Sequence, residues 1–150
     1  MGTAQSQLRS VPLMERAHTD VKLTLPAQPE NVSVIRHVLG AFAEALRLPD
    51  ELVEDLRLAV TEACTNVVRH AYPPNETGPV EITIQPMEEH VSVIVSDHGR
   101  GIGTSSDTTG PGLGLPLIAA IADEVDLQPV PGGGSRVAMT FSRRSRGDVA

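Results

Sequence analysis

"VEITIQPMEEHVSVIVSD", from Val80 to Asp97, is the stretch that most constrains the fold of this chain. Apolar and polar residues alternate on both sides of the Glu88–Glu89 pair, and this period of two is typical of half-buried strands. Two such runs joined by a short polar turn predict an antiparallel hairpin. The second run ends at Asp97, directly before a series of glycines, so the hairpin leads from the core to a candidate site.

Two amphipathic helices and one strand are predicted before this hairpin. Apolar residues recur at helical spacing over 29–48 and again over 49–72. Asp50 is the predicted N-cap of the second helix, and Pro73–Pro74 is its stop signal. Alternation in Val21–Leu25 predicts a strand before both helices.

Three further elements are predicted after the hairpin. Helical spacing resumes over 113–122, and two closing strands follow at Val125–Val130 and Ser135–Phe141. The resulting order is β-α-α-β-β-α-β-β. This order predicts an α+β fold, a two-layer sandwich in which helices cover one face of a mostly antiparallel mixed sheet.

Composition narrows the classes of function. A formal net charge of −7 and an aromatic content of only 2% argue against direct nucleic-acid binding, which relies on basic surface and base stacking. No apolar stretch reaches the roughly 18 residues of a membrane span, which predicts a soluble cytoplasmic protein. Cys64, the single cysteine, is expected to be a buried free thiol. We expect a flexible leader over 1–17, one domain over 18–143 and a flexible tail over 144–150.

The glycine-rich region does not fit the common phosphate-binding templates. No register of it matches the Gly-x-Gly-x-x-Gly fingerprint of dinucleotide-binding folds. The Walker loop and the clamp of eukaryotic-type protein kinases each need a lysine, and the single lysine, Lys22, lies in the first predicted strand. A bound nucleotide would therefore depend on backbone N–H groups, a helix N-terminus and a metal.

Groups of these kinds are present in the sequence. Gly110, Gly112 and Gly114 lead into the third predicted helix, whose N-terminus favours phosphate. On the second helix, Asn66 lies at the edge of the apolar stripe and Glu62 lies one turn earlier. A carboxylate there can polarise an incoming hydroxyl, and the amide oxygen can bind a metal that bridges phosphates. Taken alone, such a pair is weak evidence, because most pairs of this kind are ordinary residues of a helix surface.

Three other features also have plain structural explanations when each is taken alone. Asp97 can simply end its strand. Gly132–Gly134 can be a hairpin turn, and His70, within the apolar stripe near the end of its helix, is expected to pack or to cap the helix rather than to bind a ligand.

In combination the motifs are specific. They resemble, in order, the N, G1, G2 and G3 boxes of the ATPase superfamily of gyrase, the heat-shock chaperones, histidine kinases and mismatch-repair proteins: Glu62-x-x-x-Asn66-x-x-x-His70-Ala-Tyr, Asp97-x-Gly99-x-Gly101-Ile102, Gly112-Leu-Gly-Leu-Pro-Leu-Ile118 and Gly134-Ser135. The run "EACTNVVRHAY" is most similar to the bacterial anti-sigma factor serine/threonine kinases. The resemblance covers about residues 20–142 and implies the Bergerat, or histidine-kinase-type, ATPase fold.

The resemblance implies a role for each motif. Asp97 would accept a hydrogen bond from the adenine amino group, Asn66 would bind Mg²⁺, and Glu62 would be the general base for a serine or threonine hydroxyl. Ser135 stands where the family usually has threonine, and it would reach adenine through water. The other implied nucleotide-binding residues line the purine pocket or wrap the phosphates under a short lid: Gly99, Gly101, Ile102, Gly110, Gly112, Leu113, Gly114 and Leu115.

The function implied by the resemblance is an ATP- and Mg²⁺-dependent protein serine/threonine kinase that acts as an anti-sigma factor in transcription regulation. It would phosphorylate an anti-anti-sigma antagonist of the STAS type and sequester a sigma factor, and the resemblance suggests a homodimer. The alternative is a nucleotide-sensing switch with little or no kinase activity, although Glu62 favours the enzyme because a switch needs no base. A split histidine kinase would need a phosphoacceptor histidine on a dimerisation hairpin, and neither His18 nor His37 lies in a recognisable one.

Overall fold

The computed structural model describes residues 20–100 and 114–144. The predicted leader, and all but the first residue of the predicted tail, lie outside these ranges. In the described part of the chain the elements follow the predicted order: β1 Val21–Pro26, α1 Pro29–Ala45, α2 Asp50–Asn66 with a π-helical turn at Val67–Ala71, β2 Pro79–Pro86, β3 His90–Asp97, α3 Gly114–Ile121, β4 Glu124–Pro129 and β5 Ser135–Ser142.

The five described strands form one sheet in the order β1-β2-β3-β5-β4. All four pairings are antiparallel, so the described residues contain no parallel pair. The sequence predicts a mostly antiparallel mixed sheet, and the described part of it is entirely antiparallel. In the centre of the sheet, Val95 on β3 pairs with Ile82 on β2 and with Val137 on β5. Since Ser96 pairs with Arg136, the end of β3 meets the start of β5, and Asp97 lies at that junction.

The core lies between the sheet and the helices. Side chains alternate between buried and half-buried positions along β2 and β3, as the period of two predicts. The helix α2 packs against both α1 and α3 and contacts β3 and β5. Each fully buried aliphatic side chain contributes about 1.5–3 kcal/mol relative to an exposed one, so this layer is the main source of stability.

The helix α2 departs from the prediction at both ends. Pro49 occupies the N-cap position, and Asp50 is the first helical residue and forms no capping hydrogen bond. Asp50 still lies in the first turn, where a negative charge suits the helix dipole. At the other end His70 is exposed, so the expectation of a packed histidine is wrong, although His70 does lie in the last turn of the helix. A π-helical turn rotates less per residue than an α-helical turn, which keeps Ala71 on the buried face and turns His70 away.

The predictions from composition also concern the burial of Cys64 and the presence of membrane-spanning helices. Cys64 is a fully buried free thiol, as predicted, and burial raises its pKa to about 12. Across the two described ranges, no helix combines the length and the apolar character of a membrane span.

Candidate nucleotide-binding site

Asp97 is the only charged side chain that is buried in the described part of the chain, with 3% of its surface exposed. Its Oδ1 accepts a hydrogen bond from the Gly99 N–H at 2.9 Å. Its Oδ2 accepts one from the Ser135 hydroxyl at 2.8 Å. A buried carboxylate needs such donors, and together they fix its orientation. A carboxylate offers about four acceptor positions, so Asp97 retains capacity for a further donor.

Two glycines allow backbone segments to approach one another around Asp97. A Cβ atom on Gly99 would overlap the carbonyl oxygen of Ala71. A Cβ atom on Gly134 would overlap the carbonyl oxygen of Asp97, and its φ of +106° also lies in the region that favours glycine. The turn between β4 and β5 is therefore both a hairpin turn and one wall of the site.

The end of α2 is hydrogen-bonded to the segment that follows Asp97. The Arg100 N–H donates to the Ala71 carbonyl at 2.8 Å. The His98 N–H donates to the Tyr72 hydroxyl at 3.0 Å, and this hydroxyl donates to the Pro79 carbonyl at 2.5 Å. Burial raises the pKa of the Tyr72 phenol, and the carboxylates of Asp97 and Glu81 add to the increase against the opposing effect of the His98 N–H. Tyr72 is thus a neutral donor and acceptor at ordinary pH.

Tyr72 belongs to the motif at the end of the second helix, but the sequence predicts no role for it. The one signal in the sequence is that Tyr72 is the single tyrosine of the chain and directly follows an amphipathic helix. The sequence does not reveal the hydrogen-bond partners of the Tyr72 hydroxyl, because the His98 N–H and the Pro79 carbonyl lie in other elements.

Glu62 and Asn66 lie four residues apart on α2, and both are half-buried. Neither side chain hydrogen-bonds to another residue of the described part of the chain. Asn66 is the last residue of α2 before the π-helical turn. Ala71, five positions further along the chain, is the last residue of that turn. The predicted base and metal ligand therefore lie on the helix whose end is bonded to the Asp97 segment.

The remaining predicted site residues divide into two groups. Gly114 is the first residue of α3, and Leu115 is exposed on the first turn of that helix. Five others lie outside the described residues and stay predictions: Gly101, Ile102, Gly110, Gly112 and Leu113. Within 20–100 and 114–144, no group of three or more His, Cys, Asp and Glu side chains is arranged to hold a metal ion. The structure thus brings together Asp97, Gly99 and Ser135 of the predicted set.

Comparison with known protein families gives a match over most of the chain. The histidine kinase-like ATPase domain family matches residues 25–141. The chain belongs to this family. Two curated relatives of this histidine kinase-like ATPase are serine-protein kinases named RsbW. The one from Bacillus licheniformis is 36% identical over 151 aligned residues, covering 90% of this chain and 93% of the relative. The one from Bacillus subtilis (strain 168) is 38% identical over 135 residues, covering 80% and 83%.

Two solved structures are similar to this ATPase in fold. The RsbU and RsbW domains of Rv1364c from Mycobacterium tuberculosis give a TM-score of 0.68 at 20% identity, covering 85% of this chain and 34% of that one. The SiaB–SiaC complex from Pseudomonas aeruginosa gives 0.56 at 19% identity, covering 94% and 96%. The predicted fold class is confirmed. The relatives also confirm the predicted function, a protein serine/threonine kinase of the anti-sigma factor group.

Proposed function

We propose that this histidine kinase-like ATPase binds ATP with the adenine amino group against Asp97, and that Glu62 is the general base for phosphorylation of a partner protein. The observation that carries the proposal is the buried, oriented carboxylate of Asp97. A buried anion with unused acceptor capacity suits an amine, whereas it would repel a phosphate. At Gly99 and Gly134 the backbone segments approach too closely for a Cβ atom, so backbone rather than side chains surrounds Asp97 at these two points.

The phosphates are proposed to lie toward α2 and the start of α3. The Asn66 amide oxygen is a hard ligand of the kind that Mg²⁺ prefers, and Mg²⁺ commonly adds substrate phosphates and water to one or two protein ligands. Gly114 is the first residue of α3, and a helix N-terminus favours an anion. ATP with Mg²⁺ would supply the phosphoryl group and offset its charge. The remaining predicted phosphate contacts, at Gly110, Gly112 and Leu113, belong to the same proposal.

Glu62 is proposed to hold the proton of the attacking hydroxyl on its carboxylate. Its side chain is half-buried and forms no hydrogen bond to another described residue, which leaves both oxygens able to accept. It lies four residues before Asn66 on one face of α2, so a hydroxyl that reaches Glu62 also approaches the metal ligand. The Ser135 hydroxyl donates directly to Asp97, which assigns it to orienting the carboxylate rather than only to water-mediated contact with adenine.

The partners of the kinase are proposed from its relatives. The relatives are named serine-protein kinases, which supports a protein serine as the acceptor. We assign this serine to an anti-anti-sigma antagonist of the STAS type and assign a sigma factor as the sequestered partner, with a homodimer as the working assembly. The proposed location is the cytoplasm, where ATP and sigma factors are found.

Phosphorylation of a candidate antagonist tests the proposal. The chain is incubated with ATP, Mg²⁺ and small antagonist proteins of the same organism, and phosphoserine is measured by mass spectrometry. Glu62→Gln should lower the rate of transfer by about 10²–10⁴-fold, the usual contribution of a general base, and keep ATP affinity within a few fold. Glu54→Gln, an exposed glutamate on the same helix, is the matched control and should keep the wild-type rate.

Two results would contradict parts of the proposal. Transfer by Glu62→Gln at the wild-type rate would remove the general base. ATP binding without phosphorylation of any candidate partner by the wild-type chain would favour the nucleotide-sensing switch.

A further inference from the structure

We propose that Tyr72 is a positioning residue for nucleotide recognition: its hydroxyl fixes the segment after Asp97 to the end of α2 and thereby sets the preference for adenine. The inference rests on the proposed function, in which Asp97 receives the adenine amino group. It assigns base selectivity to a side chain that lies outside the glycine motifs and acts through Asp97.

The Tyr72 hydroxyl joins two elements in addition to its own. It accepts from the His98 N–H at 3.0 Å and donates to the Pro79 carbonyl at 2.5 Å. Pro79 begins β2, where the next residue, Val80, pairs with Asp97. The hydroxyl therefore contacts the backbone of β2 at Pro79 and the backbone directly after β3 at His98, and Asp97 lies at the end of β3.

In the three described residues that directly follow Asp97, each backbone N–H donates a hydrogen bond. The His98 N–H donates to Tyr72, the Gly99 N–H donates to Asp97 Oδ1, and the Arg100 N–H donates to Ala71. Gly99 is thus held between two residues that are bonded to the end of α2. Since Gly99 orients one carboxylate oxygen, the position of that oxygen depends on the two bonds beside it.

The Tyr72 ring has a separate packing role that phenylalanine can keep. A Cβ atom on Gly78 would overlap the ring, which shows that the ring lies directly against the backbone there. Tyr72→Phe therefore preserves the packing and removes only the bridge. The His98 N–H and the Pro79 carbonyl lose their partner, and Gly99 is less constrained as the donor to Asp97.

The test compares ATP with inosine triphosphate, which carries an oxo group in place of the adenine amino group. Isothermal titration gives the affinity of each nucleotide for wild type, Tyr72→Phe and Asp97→Asn. In Tyr72→Phe we expect the preference for ATP over inosine triphosphate to fall at least about fivefold, because the loss of one hydrogen bond, about 1 kcal/mol, corresponds to about fivefold in affinity. In the kinase reaction the KM for ATP should rise, and kcat should stay within about twofold of wild type. A general loss of folding would lower the affinity for both nucleotides equally.

The outcomes separate the inference from the proposed function. If Asp97→Asn loses the preference for ATP and Tyr72→Phe keeps it, the role of Tyr72 is overturned and the adenine site stands. An equal loss of both nucleotides in Tyr72→Phe also overturns it. If Asp97→Asn keeps the wild-type preference, the adenine role of Asp97 fails and the inference fails with it.

A second measurement on the wild-type chain does not depend on the folding of a variant. Amide hydrogen exchange at His98 and Arg100 is followed in the presence of saturating ATP and of saturating inosine triphosphate. ATP should slow exchange at both amides more than inosine triphosphate does, because the amino group holds the carboxylate that Gly99 orients. Equal protection by the two nucleotides overturns the role of Tyr72.

Discussion

At the scale of single residues, two polar side chains with matched partners define the candidate site. Asp97 is buried with a different donor on each oxygen, and Tyr72 places one hydroxyl between a donor and an acceptor. The neutral phenol of Tyr72 satisfies both of its neighbours. A neutral phenol can donate to Pro79, whereas a phenolate cannot, so the ionisation of Tyr72 reports on this arrangement.

The ionisation of Tyr72 is predicted to depend on folding. Burial raises its pKa above the ordinary value of 10.0, so the contribution of the neutral phenol to stability is complete below pH 10.0 and is lost as the pH rises through the folded value. Tyr72 is the single tyrosine and the chain has no tryptophan, so the ultraviolet absorbance of tyrosinate follows this group alone. We expect a higher midpoint in the folded chain than in urea. Equal midpoints would contradict the raised pKa.

At the scale of elements, the turn between β4 and β5 contains three glycines with different requirements. Gly132, Gly133 and Gly134 all have positive φ values. A Cβ atom on Gly132 would meet nothing within 4 Å, whereas one on Gly134 would overlap the backbone of Asp97. A residue with a Cβ atom would be strained at both positions because of the positive φ, but only at Gly134 would its Cβ also overlap the backbone of Asp97.

Alanine at these two positions separates backbone strain from close approach. Gly132→Ala should lower the free energy of unfolding by about 1–2 kcal/mol, the cost of a left-handed conformation for a residue with a Cβ. Gly134→Ala should cost at least about 1 kcal/mol more, because two backbone segments must also separate. Urea unfolding followed by circular dichroism measures both. Equal losses would show that the approach of Gly134 to Asp97 does not contribute.

Cys64 lies on the buried face of α2, so the reactivity of its thiol tests whether this helix stays packed against the core. The thiol is fully buried and its pKa is raised from 9.0 to about 12, so at neutral pH it has about a thousandfold less thiolate than an exposed thiol. Iodoacetamide should label the unfolded chain in urea readily and the folded chain very slowly. Rapid labelling of the folded chain would mean that α2 separates from the core under native conditions.

How much of α2 was predictable depends on which interaction determines each part. The buried stripe follows from spacing within one helix, so sequence periodicity found it. The N-cap at Pro49 and the exposed His70 did not follow, because Asp50 forms no cap bond and the last turn is π-helical. No simple periodicity template contains a π-helical turn.

At the scale of the whole molecule, the order of elements was predictable and the contacts at the site were predictable only in part. Strand alternation and helix spacing are local patterns, and they gave the β-α-α-β-β-α-β-β order that the structure has. The link from Ser135 to Asp97 joins residues that are 38 positions apart, and it follows only from the pairing of β3 with β5. The bridge made by Tyr72 depends on three elements at once.

Binding of ATP is predicted to stabilise the whole domain. At a concentration of 100 times its Kd, a ligand that binds only the folded state adds about 2.7 kcal/mol, which corresponds to a rise in Tm of about 5–10 °C for a chain of this size. Differential scanning calorimetry with Mg²⁺ and ATP measures the shift. At the same ATP concentration, Asp97→Asn should show a much smaller shift, and Asp126→Asn, an exposed carboxylate on β4, should match wild type. A full shift in Asp97→Asn would place the nucleotide elsewhere.

The π-helical turn determines which changes of chain length this protein tolerates. Such a turn is equivalent to an α-helical turn that has gained one residue, so deleting one residue between Val67 and Ala71 would restore a regular helix. One residue fewer, at the larger rotation per residue of an α-helix, covers nearly the same angle, so Tyr72 would keep roughly its direction toward His98 and Pro79. An extra residue in the turn at 87–89 would also leave the pairing of β2 and β3 in place. Natural deletions of one residue between Val67 and Ala71 should therefore preserve the contacts of Tyr72, whereas an insertion or a longer deletion would rotate it by about 100° per residue away from them.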